Sequence, residues 1–386
     1  GIATSSLIYL ALPIAMGLLL KYTRISLAMV TLIFLPLVGI SIWVGQMAPI
    51  QLGLEDAPAQ KVWGMLILLY CLVAAVAPMW LLLQPRGHLG GYFLYFFLGA
   101  GVVGLVAGGY QATYPAFMGW SGADGSTLAP FLFIMIACGA VSGFHSLIAS
   151  GTTSKQLKSE SDAKPIGYGT MLLEGGVAFI SLTTVMVLSR GGPGARPPQF
   201  IFADGISNSL TLLGISKAFA MATMLLAFTT FVYDTLDVCT RLGRYILQEL
   251  TGWHDSRGAW LGTSLTAIVP AMFLLQPVPI WRVFWNLFGA SNQLLAALTL
   301  LGITVWLVRS RKARWAWAVT GLPCLLMYVM SCWALGAIVS KALRGGAFGA
   351  EALVGLILLV FAALMLLEGI ATFVMARRRP ADAMAT

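Results

Sequence analysis

The chain has 386 residues, of which 59% are hydrophobic and 10% are charged, and its formal net charge is +9. Soluble domains carry about 25% charged residues, so this composition excludes a soluble protein. No basic face is concentrated on any one element, which argues against nucleic-acid binding. The five cysteines form no C-x-x-C pair and indicate packed free thiols rather than a metal or disulfide site.

Eleven apolar runs follow one another along the chain, each near the roughly 20 residues that cross the hydrocarbon core of a bilayer. They predict an all-α, polytopic helical membrane protein that forms one transmembrane domain over residues 1–386. The predicted spans are Ile2–Leu20, Ile25–Val44, Val62–Leu83, Leu89–Tyr110, Leu128–Ile148, Ile166–Leu188, Leu213–Tyr233, Ala259–Leu275, Val283–Val308, Trp315–Val339 and Ala352–Met375.

The charges in the loops predict the orientation of these spans. One set of alternate loops holds sixteen Lys and Arg residues, and the other set holds seven. Under the positive-inside rule the richer set faces the cytoplasm, which places the C-terminus inside and residue 1 outside. Because the chain begins within a span and shows no signal-peptide pattern, we expect it to be truncated at the N-terminus, with an odd number of spans missing.

Pro78 lies within the third predicted span, Val62–Leu83. Proline removes a backbone donor and bends a helix. Bent helices are how secondary transporters expose backbone groups to a solute at mid-membrane, although proline kinks also occur in ordinary spans. The sequence therefore predicts a kink at Pro78 that contributes to a solute pathway.

The segment Pro130–Lys155 starts as a span and then becomes rich in small and polar residues. Such residues are costly at membrane depth unless they face a cavity, a partner helix or a solute. We expect Ser142, Gly143 and His145 to lie near the solute, with a histidine hydrogen-bonded between helices as the alternative for His145. One buried histidine is poor evidence for a metal or haem site. The segment ends in hydroxyls predicted to line an ion or proton path, Thr152 and Thr153.

Glu174 lies near the middle of the sixth span, Ile166–Leu188. A carboxylate at bilayer depth is costly as an anion, so burial favours the protonated form and proton exchange near neutral pH. This behaviour is what a proton-coupling group requires. The alternative is a hydrogen-bonded Glu that ties two helices together, and Tyr168 is a candidate partner for it.

Asp234 and Asp237 end the seventh span and share one helix face. Asp234 with Thr229 and Thr230 offers oxygen ligands that could coordinate Na⁺ or line a proton path, and the alternative is a solvated helix end. Asp237 stands four residues before Arg241, the favoured order for an ion pair on a helix. A structural pair at the membrane edge therefore competes with an ion-coupling role for Asp237.

Residues 237–250, DVCTRLGRYILQEL, continue from this span with an amphipathic pattern. Arg241, Arg244, Gln248 and Glu249 form the polar side. The pattern predicts a helix that lies on the cytoplasmic surface of the membrane.

Polar residues also interrupt the ninth span, at Asn292 and Gln293. Hydrogen bonding between helices is the favoured interpretation. A contribution to the solute pathway is the alternative.

Several of these stretches together resemble the carbon starvation protein A family. The run PFLFIMIACGAVSGFHSLIASGTTSKQL, followed by IGYGTMLLEG, is similar to the family's C-G-A-x-S-G-F-H-x-L-I-x-S-G-T-T and G-Y-G-x-M-L-x-E motifs. The resemblance continues at VAPMWLLLQPRGHL, LDVCTRLGRYILQEL and LFGASNQLLA. It covers about residues 63 to 300.

The resemblance implies a bacterial inner-membrane transporter with an inverted five-plus-five repeat. Members are associated with peptide uptake under nutrient limitation, and some with pyruvate–proton symport. Two features depart from the family: upstream spans with a Gly-rich broken helix are absent, and the segments Ser189–Ser207 and Lys341–Ala350 are short. The second repeat would open at Val62–Leu83, with Leu128–Ile148 as the alternative.

The sequence thus predicts a secondary transporter of peptides or pyruvate, coupled to H⁺ or alternatively to Na⁺, with no cofactor. Its expected partners are the solute and the lipid bilayer. A nutrient sensor without transport is the alternative function. An intramembrane aspartyl protease is excluded, because Tyr233-Asp234 has no second catalytic Asp in a neighbouring span.

Overall fold

A computed structural model describes residues 2–50, 53–121, 127–187, 197–276, 280–310, 315–344 and 349–378. Over these ranges the secondary structure is helical, apart from one isolated β-bridge between Ser121 and Thr127. The α-helices are α1 (Ile2–Tyr22), α2 (Leu27–Met47), α3 (Asp56–Val76), α4 (Leu83–Ala107), α5 (Leu128–Ile136), α6 (Gly143–Ile148), α7 (Ala163–Met186), α8 (Pro198–Thr211), α9 (Lys217–Thr251), α10 (Ser256–Leu275), α11 (Ile280–Ser310), α12 (Leu322–Arg344) and α13 (Ala350–Arg378).

Within the described ranges, ten helices are long and apolar enough to cross a membrane. The predicted class, a polytopic helical membrane protein, is therefore confirmed. The fifth predicted span, Leu128–Ile148, is divided between α5 and α6. Helix α8 was not predicted. Its polar residues led to its assignment to the end of an outside loop.

The chain divides into two compact units. The first comprises Gly1–Ala116 and Gly175–Gln276, and the second comprises Phe117–Glu174 and Pro277–Thr386. In the first unit, α9 packs against α1, α3, α4, α8 and α10, and its buried residues contribute to two apolar clusters. In the second unit, α11 and α12 pack together and against α5 and α13 around a third apolar cluster.

The predicted kink at Pro78 is wrong, because α3 ends before it. Helix α3 stops at Val76, and Ala77 adopts an extended ψ of 149°. A residue that precedes proline is sterically excluded from the helical region, so the helix terminates instead of bending. The chain turns through residues 77–82 and α4 begins at Leu83. As a result Arg86 and His88, which the sequence places in a cytoplasmic loop, lie inside α4.

The predicted helix over residues 237–250 is present, but its polar side differs from the prediction, and its place at the membrane surface stays a prediction. This segment is part of α9, which runs for 35 residues and ends at Gly252 in the left-handed conformation, φ 74°. Arg241 and Arg244 belong to its predicted polar side, yet both side chains are buried. Arginine has a long apolar stem and a head that donates several hydrogen bonds, so it can be buried where acceptors are available.

Candidate functional site

A break in the predicted fifth span forms the first candidate site, in the second unit. Helix α5 ends at Ile136, a 3₁₀ turn follows at Ala137–Gly139, and α6 begins at Gly143. Ser142 is extended, with φ −130° and ψ 127°, and its Oγ accepts a hydrogen bond from the His145 backbone N–H. Helix ends leave backbone groups without partners inside the helix, and in a membrane these groups must be satisfied by protein or a solute.

Asn292 on α11 supplies partners for the broken backbone. Its Oδ1 accepts from the Phe144 N–H at 2.7 Å, and Ser142 Oγ lies 3.3 Å from the same oxygen. Its Nδ2 lies 3.3 Å from Cys138 Sγ on the other side of the break. The predicted interhelical hydrogen bonding of Asn292 is therefore present, and it is directed at the break itself.

Gly143 allows α6 and α11 to approach each other closely. A Cβ atom at this position would lie 2.7 Å from the backbone N of Ala296, so a larger residue would force the helices apart. One turn along α6, Ser146 Oγ lies 3.0 Å from Thr299 Oγ1 of α11. The small residues of this segment therefore serve helix packing as well as opening the backbone.

His145 and Glu174, which the sequence proposed for separate roles, form a pair. His145 Nδ1 lies 3.2 Å from Glu174 Oε2, and the side chains are 49% and 35% exposed. Glu174 thus has His145 as its partner in place of the predicted Tyr168, whose side chain is exposed. Both side chains of the pair are therefore only partly buried.

Beyond α6 the chain widens into a π-helical turn at Ala149–Thr153. Thr152 is buried and donates to the Ile148 carbonyl at 3.1 Å, whereas Thr153 is half-buried. Short π-helical segments often mark functional positions in helices. The role of the two hydroxyls in an ion path stays a prediction.

Gln293 lies next to Asn292 but takes a different position in the packing. It is fully buried, and within the described part of the chain neither its Oε1 nor its Nε2 has a hydrogen-bond partner. Consecutive residues of an α-helix point about 100° apart, so the two amides face different neighbours. A cavity of about 340 Å³ lies on the Asn292 side, between α6, α11 and α13, and its lining includes Phe144, Ser291 and Phe361.

A second candidate site, in the first unit, is the arginine–carboxylate cluster, defined as Tyr70, Arg86, Asp234 and Asp237. The Arg86 side chain on α4 is 0% exposed, and its Nε lies 2.5 Å from Asp234 Oδ1. Its Nη1 contacts Asp237 Oδ2 and lies 2.5 Å from the Tyr70 hydroxyl oxygen. Tyr70 in turn donates to Asp237 Oδ2 at 3.1 Å. The cluster ties α3, α4 and α9 together.

The predicted ion pair between Asp237 and Arg241 is wrong. Arg241 Nη2 instead donates to the carbonyl oxygens of Ala74 and Ala77, at 2.7 and 2.8 Å. The Ala74 carbonyl would ordinarily accept from the residue four positions later, but Pro78 has no N–H. The proline that ends α3 therefore creates the acceptor that Arg241 occupies.

The oxygen atoms of Asp234, Thr229 and Thr230 do not converge on one site as the sequence predicted. Asp234 faces Arg86, and the hydroxyls of Thr229 and Thr230 donate to carbonyls one turn earlier on α9. The alternative for Asp234, a solvated helix end, is also not what the structure shows, because α9 continues to Thr251 and the Asp234 carboxylate, 29% exposed, pairs with Arg86.

Sequence inspection missed Arg86 and Tyr70. The available signal was the pair Asp234 and Asp237, since two acids on one face of a membrane helix require a counter-charge. Arg86 follows Pro85 in a charged, Gly-containing stretch, which led to its assignment to a loop.

Replacing Asn292 should destabilise the broken segment. In Asn292→Ala the half-buried Phe144 N–H loses its acceptor, so we expect the free energy of unfolding to fall by about 1–3 kcal/mol. Thermal unfolding in detergent, followed by tryptophan fluorescence, measures the change. Ser291→Ala is the matched control, because the Ser291 hydroxyl donates only to the Phe288 carbonyl of its own helix. Equal melting of the two variants would contradict the assigned role of Asn292.

The described residues include ten membrane-length helices, a span broken among polar partners and a buried arginine–carboxylate cluster, and together these define a polytopic helical membrane protein. The chain belongs to the carbon starvation protein CstA family, whose model matches residues 2–195 and 193–334. The resemblance seen in the motifs is thereby confirmed.

Curated relatives extend the same comparison. The chain is 30% identical to the pyruvate/proton symporter BtsT of Escherichia coli (strain K12), over 69% of this chain and 49% of that protein. It is 30% identical to the peptide transporter CstA of Mycobacterium tuberculosis (strain ATCC 25618 / H37Rv), over 82% of this chain and 52% of that protein. It is 32% identical to the peptide transporter CstA of Escherichia coli (strain K12), over 64% of this chain and 45% of that protein.

The chain spans about half the length of the curated relatives it matches. No solved structure matches it. The names of these relatives describe transporters.

Proposed function

We propose that the chain forms part of a secondary active transporter in the bacterial inner membrane, with a cytoplasmic C-terminus, which imports peptides or pyruvate together with protons under starvation. The observation that carries this proposal is the pairing of His145 with Glu174 beside a broken helix. The relatives named as peptide transporters and as a pyruvate/proton symporter support it.

The geometry supports a specific exchange of partners. Pyruvate and peptides share a carboxylate, which is the group that an imidazolium binds. While Glu174 is ionised it occupies His145 Nδ1. A proton that binds the Glu174 carboxylate removes its negative charge and frees the imidazolium for the solute carboxylate. Proton binding and solute binding then favour each other, as symport requires.

The remaining polar groups have proposed places around this exchange. Ser142, Gly143 and Asn292 hold the broken backbone next to His145 and would contact the solute. Thr152 and Thr153 would line the proton path, or a sodium path if Na⁺ is the coupling ion. Further proposed residues of the solute or ion pathway are Pro78, Gln293, Asp234 and Asp237.

Glu174→Gln tests the coupling step. The amide keeps the shape of the side chain but binds no proton, so we expect uptake driven by an inward proton gradient to fall to the level seen without a gradient. Exchange of internal for external solute without a gradient should persist. The measurement is accumulation of labelled pyruvate and, separately, of a labelled dipeptide in proteoliposomes.

Glu160→Gln is the matched control, because Glu160 is an exposed carboxylate in a 3₁₀ turn of the same unit. It should accumulate solute like the wild type. Wild-type accumulation by Glu174→Gln would exclude Glu174 as the coupling group. Absence of flux for both solutes in the wild type, with binding retained, would favour the sensor function instead.

A further inference from the structure

In the arginine–carboxylate cluster one guanidinium faces two carboxylates. Arg86 Nε lies 2.5 Å from Asp234 Oδ1, and Nη1 contacts Asp237 Oδ2. Arg241, one turn further along α9, donates to the carbonyls at the end of α3, where its charge stabilises the negative end of that helix dipole. Two carboxylates that share a site are costly to ionise together.

Two polar atoms of the cluster, Asp237 Oδ1 and Arg86 Nη2, are buried without a hydrogen-bond partner among the residues that the structure describes. The Asp237 side chain is 2% exposed, whereas that of Asp234 is 29% exposed. An anionic oxygen in the position of Asp237 Oδ1 loses its hydration and gains no donor. A proton at Oδ1 removes the charge there and leaves Oδ2 free to accept from Arg86 and Tyr70.

The surroundings of the two carboxylates offer no second cation in direct contact among the described residues. Helix α2 has no titratable side chain, and His88 of α4 is engaged with Thr31 of α2 at 2.8 Å. On α8, Asp204 pairs with Lys217 at 2.7 Å. The titratable groups that face the two carboxylates are Tyr9 on α1, Tyr70 and Cys71 on α3, and Arg86 on α4. Helix α10 carries one charged residue, Arg257, and its side chain is exposed.

We propose that Asp234 and Asp237 share one proton, held at Oδ1 of Asp237, and that Arg86 sets this stoichiometry by compensating only one carboxylate. The cluster is a proton-binding site separate from Glu174. Proton binding is a property of the cluster itself, and only its use in transport rests on the proposed function.

Infrared difference spectroscopy of the purified full chain in lipid nanodiscs at pH 7 tests this assignment. A buried protonated carboxyl gives a C=O stretching band that an ionised carboxylate lacks. The difference spectrum obtained by subtracting the spectrum of Asp237→Asn from that of the wild type should show this band. The spectrum of the wild type minus Asp234→Asn should show it too, because Asp237 then has Arg86 to itself and ionises.

Three further variants serve as controls. Asp204→Asn removes a carboxylate that is already paired with Lys217, so the wild type minus this variant should show no band. Arg86→Lys keeps one positive charge and both carboxylates, so its band should keep the wild-type intensity. Glu174→Gln should also retain the band of the cluster, so that failure of the proposed coupling group and failure of this site are distinguishable.

Two results would overturn the proposal. A band lost in Asp237→Asn but kept in Asp234→Asn would show that burial of Asp237 alone holds the proton. A wild type without the band, whose melting temperature rises with NaCl but not with choline chloride, would assign the compensating charge to sodium.

Discussion

Arg86→Met is expected to lose about 3–5 kcal/mol of folding free energy at pH 8, the cost of removing one partner of a buried ion pair. The Arg86 side chain is 0% exposed and contacts both Asp234 and Asp237. Methionine fills part of the space but leaves the ionised carboxylate of the pair without a cation and without its hydrogen-bond donors. An uncompensated charge that has lost its hydration acts against the folded state.

The defect of Arg86→Met should shrink as the pH falls. Without Arg86 the folded state favours protonated carboxyls at positions 234 and 237, so it binds more protons than the unfolded state does. Linkage then requires stability to rise as the pH decreases. Melting temperatures measured in detergent at pH 5 and pH 8 give the difference directly.

Arg257→Met is the matched control for this experiment. Arg257 is exposed in the first turn of α10, and surface substitutions of this kind change stability by about 0.5 kcal/mol or less. If Arg86→Met and Arg257→Met melt together at pH 8, the arginine–carboxylate cluster does not stabilise the first unit.

Gly143→Ala is expected to have the largest effect in the second unit. The added Cβ would lie 2.5 Å from Leu295 Cβ and 2.7 Å from the Ala296 backbone N, and backbone atoms cannot move aside as a flexible side chain can. Overpacking of this kind costs about 1–3 kcal/mol. Separation of α6 from α11 also weakens the Phe144–Asn292 hydrogen bond, which adds about 1–3 kcal/mol.

The control for Gly143→Ala is Gly302→Ala on α11. A Cβ at Gly302 meets nothing within 4 Å, and alanine in a helix interior is favoured over glycine by up to about 1 kcal/mol. Thermal unfolding should therefore show a loss for Gly143→Ala and no loss for Gly302→Ala. Uptake assays should show the same ranking, because the break holds His145 in place. A Gly143→Ala variant as stable as the wild type would refute the close packing.

Much of the candidate site in the second unit was predictable from residue types. Glycine, serine and histidine in the middle of an apolar run already indicate a segment that cannot be an ordinary span. Asn292 was expected to bond between helices. Its target was not predictable, because nothing in the spacing between positions 142 and 292 indicates that α11 passes the break.

The partners within the arginine–carboxylate cluster, by contrast, were not predictable from the sequence. Asp237 and Arg241 fit the local rule for an ion pair on one helix, yet each binds a group from another helix. Local spacing describes only which side chains can meet on the same element. It does not include the carbonyl that Pro78 frees on α3, nor the guanidinium that α4 brings to Asp237.

The sequence by itself determined the membrane class, the family and the residue types at the break, because these depend on hydrophobic run lengths and on motifs that are continuous in the chain. The tertiary structure alone decided the partners: Glu174 with His145, Asp237 with Arg86, and Arg241 with the end of α3. A buried charge takes the strongest compensating group within reach, and that reach is set by helix packing, not by distance along the chain.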